Sequence, residues 1–185
     1  MNKHPSRSKR WHCLSSSIVY KSPHVQVYSD DVQLPDGAVI QYTRFDDCPF
    51  AIVVPRIDDK LVMIYNYRYP LNEWCLEFPS GHIKPEEKPQ EAACRELEEE
   101  TGYSAKKLQL VGEFCPSVRS SQKAYAFAAE VFWKGTLNRD RSELQRVVVL
   151  PIEKVDEIFA NGEISHAASI IALFMSRHRL NSRNR

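Results

Sequence analysis

The chain has 185 residues, with 25 Lys plus Arg against 24 Asp plus Glu and a formal charge of +1. That length suits one domain with an ample core, and the even charge balance argues against a dedicated nucleic-acid or membrane surface. The longest apolar run, AASIIALFM from Ala167, is about half the ~18 residues of a membrane span. Five cysteines, at 13, 48, 75, 94 and 115, form neither the close pairs of a zinc site nor an even disulfide set, so reduced thiols and a cytoplasmic location are expected. The start is basic with no apolar stretch behind it, so no secretory signal is expected.

Residues 1–14 read as a flexible basic arm carrying Trp11. From 15 to 45 come short β-type runs, SIVY, HVQVY, DVQL and, after a turn at Asp36 and Gly37, AVIQYTRF. These predict a small antiparallel sheet. CPFAIVVP and KLVMIYNYR, separated by IDDK, predict a hairpin in a main sheet covered on both faces. The apolar run WCLEFPSG ends at Gly81, where a strand would turn. Pro89 suits a first helical turn and Gly102 a left-handed cap, which predicts a helix over 89–101 with Ala93 and Leu97 facing the core. Ala92 falls with the glutamates on another side. KLQLVGEF, KAYAFAAEVFW and RVVVLP read as strands, with the loop CPSVRSSQ between the first two. The end is helical: one helix stops near Asn161 and Gly162, and a second has Ile170, Ile171, Leu173 and Phe174 on its buried side.

The chemistry concentrates between Gly81 and Tyr103, GHIKPEEKPQEAACRELEEETGY, which holds seven glutamates. Glu96, Glu99 and Glu100 stand at helical offsets of three and four, so their carboxylates share one face. Such like charges persist if the face is fully solvated, the commoner case, or if a hard divalent cation such as Mg2+ or Mn2+ neutralises them. Arg95 can reach Glu91 or Glu99 one turn away and hold a carboxylate in a fixed orientation.

The segment fits G-x5-E-x7-R-E-U-x-E-E-x-G-U, with U a bulky apolar residue, through Gly81, Glu87, Arg95, Glu96, Leu97, Glu99, Glu100, Gly102 and Tyr103. This resembles the Nudix box. Upstream QLPDG, YRYP and EFPSG, and downstream FCPSVRSSQKAYAFAAE and IFANGEISHAASIIALF, are similar to the ADP-ribose pyrophosphatase and nucleoside diphosphate sugar branch of that superfamily. The resemblance implies an α/β fold, a Nudix-type α/β/α sandwich with a mixed sheet and an N-terminal antiparallel β extension. The extension, 15–45, would mediate a homodimer, and 46–182 would be the hydrolase domain.

It also implies a Mg2+-dependent pyrophosphohydrolase that cleaves nucleoside diphosphate sugars such as ADP-ribose, ADP-glucose or GDP-mannose into NMP and sugar phosphate. Glu96, Glu99, Glu100 and the carbonyl of Ser80 would hold metal, and Arg95 with Glu87 would brace the loop. Two departures leave the general base and the substrate open: Val118 stands where the branch usually has proline, and Gln122 and Lys123 stand where many members have a catalytic glutamate. Glu99, Glu100, Asp140 and Glu143 are the candidates for the base.

Arg68, at a strand end, is a diphosphate clamp or one half of a structural ion pair; Arg119 is a loop arginine that could also meet substrate. Gly81 lies beside the bound phosphates by the same resemblance. His82 reads as exposed, and Trp11, Tyr20 and Trp74 as core, dimer or base-stacking residues. The opposing reading is a nucleotide-binding or sensor module that keeps the box and has little turnover.

Overall fold

The computed structural model describes residues 10–23, 25–135 and 145–181. The chain divides into two compact units, the first comprising residues up to Cys48 with 117–122, the second 49–116 with 123–185.

In the first unit β1 (His12–Lys21), β2 (Val25–Gln33) and β3 (Val39–Asp47) form an antiparallel sheet in the order β1-β2-β3. HVQVY and DVQL, expected as separate runs, are one strand. The intervening Ser29 and Asp30 stay in the ladder because Asp30, 5% exposed, accepts hydrogen bonds from Ser16 Oγ at 2.5 Å and Arg44 Nε at 2.7 Å. A buried carboxylate with such donors is no turn signal.

The second unit holds a seven-stranded mixed sheet in the order β10-β5-β4-β9-β8, from β4 (Phe50–Ile57), β5 (Lys60–Arg68), β8 (Tyr103–Phe114), β9 (Ala124–Trp133) and β10 (Gln145–Pro151). β4 and β9 are parallel and the remaining pairs antiparallel. β4 and β5 pair beside their turn, at Arg56↔Leu61 and Ile57↔Lys60, and then part. Into the gap go β6 (Glu73–Glu77), against β5, and β7 (Ser80–His82), against β4. WCLEFPSG is therefore two strands rather than one. Pro79, which has no N–H to give a ladder, breaks the run, and its carbonyl accepts the Val53 N–H at 3.0 Å.

Alternation along the strands sends side chains to two cores. Ala51, Val53 and Val62 face α1 (Pro89–Thr101), while Ile52, Val54, Leu61 and Met63 face α2 (Ile152–Ala160) and α3 (Ala167–Asn181). Both faces are covered, which is the α/β/α sandwich expected. On α3, Leu173 is buried at 3% exposure, but Phe174 is 59% exposed and rests on His178 with ring centroids 4.3 Å apart. The buried stripe of α3 runs instead through Ala168, Ala172 and Leu173, spaced by four and one as a helix requires.

Candidate active site

α1 occupies the span its punctuation predicts. Pro89 opens it, Glu91 Oε2 accepts the Lys88 N–H at 3.0 Å, and Gly102 closes it at φ 75° with its N–H on Glu98 O at 3.0 Å. Ala92, Ala93 and Leu97 are all fully buried. Ala92 thus joins the core rather than the acidic side, since a methyl fits against the sheet where a longer side chain would not. Seating that stripe against β4 and β5 brings the following glutamates to β7.

There the carboxylates meet the backbone of Ser80 and Gly81. The Ser80 N–H donates to Glu100 Oε2 at 2.8 Å, and Gln145 Nε2 donates to Glu100 Oε1 at 2.8 Å. Glu100 is 6% exposed. A Cβ built on Gly81 would overlap the Glu96 carboxylate, so this position admits glycine alone if Glu96 is to lie against β7. Two of the three box carboxylates therefore converge on one dipeptide. Glu99 lies further out, its side chain 36% exposed.

Arg95 organises this acidic face. Its Nε and Nη2 grip both oxygens of Glu87 at 2.8 and 2.9 Å, Nη2 also donates to His82 O at 3.0 Å, and Nη1 reaches Glu96 at 2.5 Å and Glu99 at 3.2 Å. The planar guanidinium serves three acids and one carbonyl with donors in fixed directions. Glu87 is also fixed by the Lys84 N–H at 2.9 Å. The Arg95 hydrogen bonds above all hold the Glu87 carboxyl well below its ordinary 4.5, at about 2, and Glu87 in turn pushes the guanidinium pKa up.

Among the described residues no three His, Cys, Asp or Glu side chains are gathered into a ready-made metal cage. The negative charge of α1 is met by Arg95, the Ser80 amide and Gln145. The donor set nevertheless fits a hard divalent ion: oxygen ligands from Glu96 and Glu100 beside a bare glycine backbone, with Glu99 one turn away.

The other sequence candidates divide. Arg68 makes a bidentate pair with Glu77, Nε to Oε1 at 2.8 Å and Nη2 to Oε2 at 2.5 Å, and Glu77 is 1% exposed. The ion-pair alternative for Arg68 is thus realised, and its side chain, 41% exposed, also faces a cavity. Arg119 belongs to the first unit, where its guanidinium lies 5.7 Å from the Tyr42 ring centroid and its carbonyl accepts the Phe45 N–H. Gln122 donates to Cys48 O at 2.7 Å in the same unit. Asp140 and Glu143 lie outside the described residues. Gln145, Glu77, His166 and Ser169 escaped the sequence reading. Nothing local marks a glutamine that will meet a glutamate 45 positions earlier, whereas a glutamate within the apolar run WCLEFP is itself a signal of buried pairing.

The NUDIX domain model matches residues 49–173, and the nucleoside diphosphate sugar hydrolase N-terminal domain model matches residues 11–43. An ADP-ribose pyrophosphatase of Bacillus subtilis is 29% identical over 165 residues, 86% of this chain and 89% of that protein. A methanol dehydrogenase activator of Bacillus methanolicus is 35% identical over the same shares of the two chains. The crystal structure of an ADP compounds hydrolase superposes with a TM-score of 0.84 at 25% identity, covering 97% of this chain and 98% of that one. On the strength of a model spanning the whole of α1 and its sheet, joined to a match over residues 11–43 with the N-terminal domain of nucleoside diphosphate sugar hydrolases, the chain belongs to the Nudix hydrolase family.

Proposed function

We propose that this hydrolase is a Mg2+-dependent pyrophosphohydrolase, with Mn2+ able to substitute, that splits nucleoside diphosphate sugars of the ADP-ribose, ADP-glucose or GDP-mannose type into NMP and sugar phosphate. The observation that carries the reading is the convergence of Glu96 and Glu100 on Ser80 and Gly81 under the control of Arg95. A divalent ion held there would supply the positive charge against the phosphate oxygens that hydrolysis of a phosphoanhydride needs.

Glu96, Glu99, Glu100 and the Ser80 carbonyl are the residues that would hold it. Arg95, itself anchored by Glu87, keeps Glu96 and Glu99 from turning away. Glu99, or Asp140 or Glu143 ahead of Gln145, takes the proton from the attacking water. Arg68 at the end of β5 holds the diphosphate, and Gly81, whose missing side chain admits the Glu96 carboxylate, contributes its backbone; Arg119, in the first unit, is a separate candidate for substrate contact. The names of the B. subtilis relative and of the solved neighbour, both ADP-compound hydrolases, support the substrate class.

Incubation with ADP-ribose, ADP-glucose and GDP-mannose in Mg2+ should release NMP from at least one. Binding without product across the panel would favour the opposing reading, a nucleotide-sensing module, for which the relative named as an activator of another protein is the supporting observation. The expected setting is the cytoplasm, consistent with five free cysteines.

The same reading includes a homodimer through residues 15–45. All ten residues of β1 are exposed, and Leu14, Ile18, Val19 and Tyr20 are each more than half exposed, an apolar edge that a second copy would cover.

A further inference from the structure

A cavity of about 370 Å3 in the second unit is lined by Arg68, Cys75, Glu77, Ser165 and His166. Its least ordinary member is Glu77, a carboxylate at 1% exposure. Burial of that charge is tolerable because Arg68 meets both its oxygens. The oxygen that accepts Arg68 Nη2, Oε2, also lies 3.8 Å from His166 Nδ1. Nδ1 is 2.9 Å from Ser169 Oγ, and that fully buried hydroxyl accepts the Phe78 N–H at 2.9 Å. The Ser169 hydroxyl, which accepts from an amide, has its own proton to offer, and in the Nε2–H tautomer of neutral His166 it donates that proton to Nδ1.

The charge count follows from these contacts. With His166 neutral, Arg68 and Glu77 cancel; with His166 protonated, the group carries +1. Protonated Nδ1 can no longer accept from Ser169, and the nearest anion is Glu77 Oε2. The groups facing the imidazole are Glu77 and Cys75 from β6 and Arg68 from β5, with no acid in the first turn of α3.

We propose that His166 is a positioning residue for Arg68: on gaining a proton it takes a share of Glu77, which leaves more of the guanidinium charge for a diphosphate and strengthens substrate binding as pH falls. This rests on the reading of Arg68 as the diphosphate contact. Burial holds the imidazole pKa below its ordinary 6.5, Glu77 opposes that, and Arg68 adds to it, so the group is neutral at pH 7. Reciprocity then requires a bound diphosphate to raise the pKa of His166.

The test uses the full chain. KM and kcat for ADP-ribose in saturating Mg2+ are followed from about pH 8.5 to about pH 5.5 in the wild type and in His166→Gln, which stays neutral throughout. The ratio of mutant to wild-type KM should rise by about 5-fold or more towards acid pH, the lower end of typical couplings, while the kcat profiles keep their shape relative to each other. A KM ratio that stays flat would overturn the proposal. The second readout is the His166 imidazole titration by NMR in the wild type, without and with inorganic pyrophosphate, which needs neither turnover nor a folded variant. A rise in its pKa on adding pyrophosphate supports the link; an unchanged value refutes it. Should no nucleotide sugar be hydrolysed at all, the function proposed above fails while this titration still decides the role of His166.

Discussion

Glu87→Gln isolates the clasp that orders the acidic face. Glu87 lies outside the strands and Gln keeps its shape, so the change acts through Arg95 and the Lys84 amide. Its carboxyl titrates at about 2 against an ordinary 4.5. At about 1.4 kcal/mol per pH unit this gap corresponds to an upper bound of about 3.4 kcal/mol. Solvent reaches the edge of the pair, with side chains 20% and 14% exposed, and screening reduces the expected loss to about 1–2 kcal/mol. For a chain of this size that lowers Tm by about 2–8 °C at pH 7.

The sign of the pH dependence is fixed. The folded pKa lies below the unfolded one, so the contribution is complete above about pH 4.5 and fades as pH falls towards about 2. Urea unfolding of the wild type and Glu87→Gln at several pH values should show their stability difference shrinking below about pH 4.5. A difference that is absent at pH 7, or that stays constant into acid, would refute the reasoning.

Other substitutions read other contacts. Gly81→Ala places a Cβ within the Glu96 carboxylate, and NMP release should fall at least ~100-fold while the free energy of unfolding drops by no more than the ~1–3 kcal/mol of a local overpacking. Arg68→Ala should raise KM for a nucleotide sugar about 10-fold or more and also destabilise by about 3 kcal/mol, because Glu77 is left buried and unpaired; Arg68→Ala/Glu77→Gln should recover much of the stability and none of the affinity. Ser169→Ala removes the acceptor of the buried Phe78 N–H and should cost about 1–3 kcal/mol in urea unfolding. Light scattering should give twice the 21.4 kDa of one chain, and Ile18→Asp with Tyr20→Asp should return it to one.

What the sequence reveals here follows the range of the forces involved. α1 was legible to the residue because its ends are set by Pro89 and Gly102, which act on their own backbone. The strand runs along the chain and the two covered faces followed from apolar patterning, and the box from fixed spacings, while the order of strands within the sheet did not. The fusion of HVQVY with DVQL depends on partners distant in sequence, Ser16 and Arg44, and local patterns carry no trace of them, whereas the break at Pro79 follows from the proline's own missing N–H. Phe174 lies off the buried side because a four-residue apolar cluster on a helix spans more than one face, and the small residues Ala168 and Ala172 take the buried positions. At the site, the role of Arg95 was legible through its offsets along one helix, while its hold on Glu87 needed the loop geometry as well. Gln145 against Glu100, and His166 with Ser169 against Glu77 and Phe78, are products of the tertiary fold.

The central claim is that Glu96 and Glu100 serve a divalent ion rather than a solvated helix face. Its most direct measurement is a Mg2+ titration of Tm alongside NMP release from ADP-ribose, in the wild type, Glu96→Gln and Glu100→Gln. A saturable rise in Tm with Mg2+, lost in both variants together with at least ~100-fold of turnover, is the predicted result. Wild-type Tm indifferent to Mg2+, or both variants turning over at the wild-type rate, would contradict it.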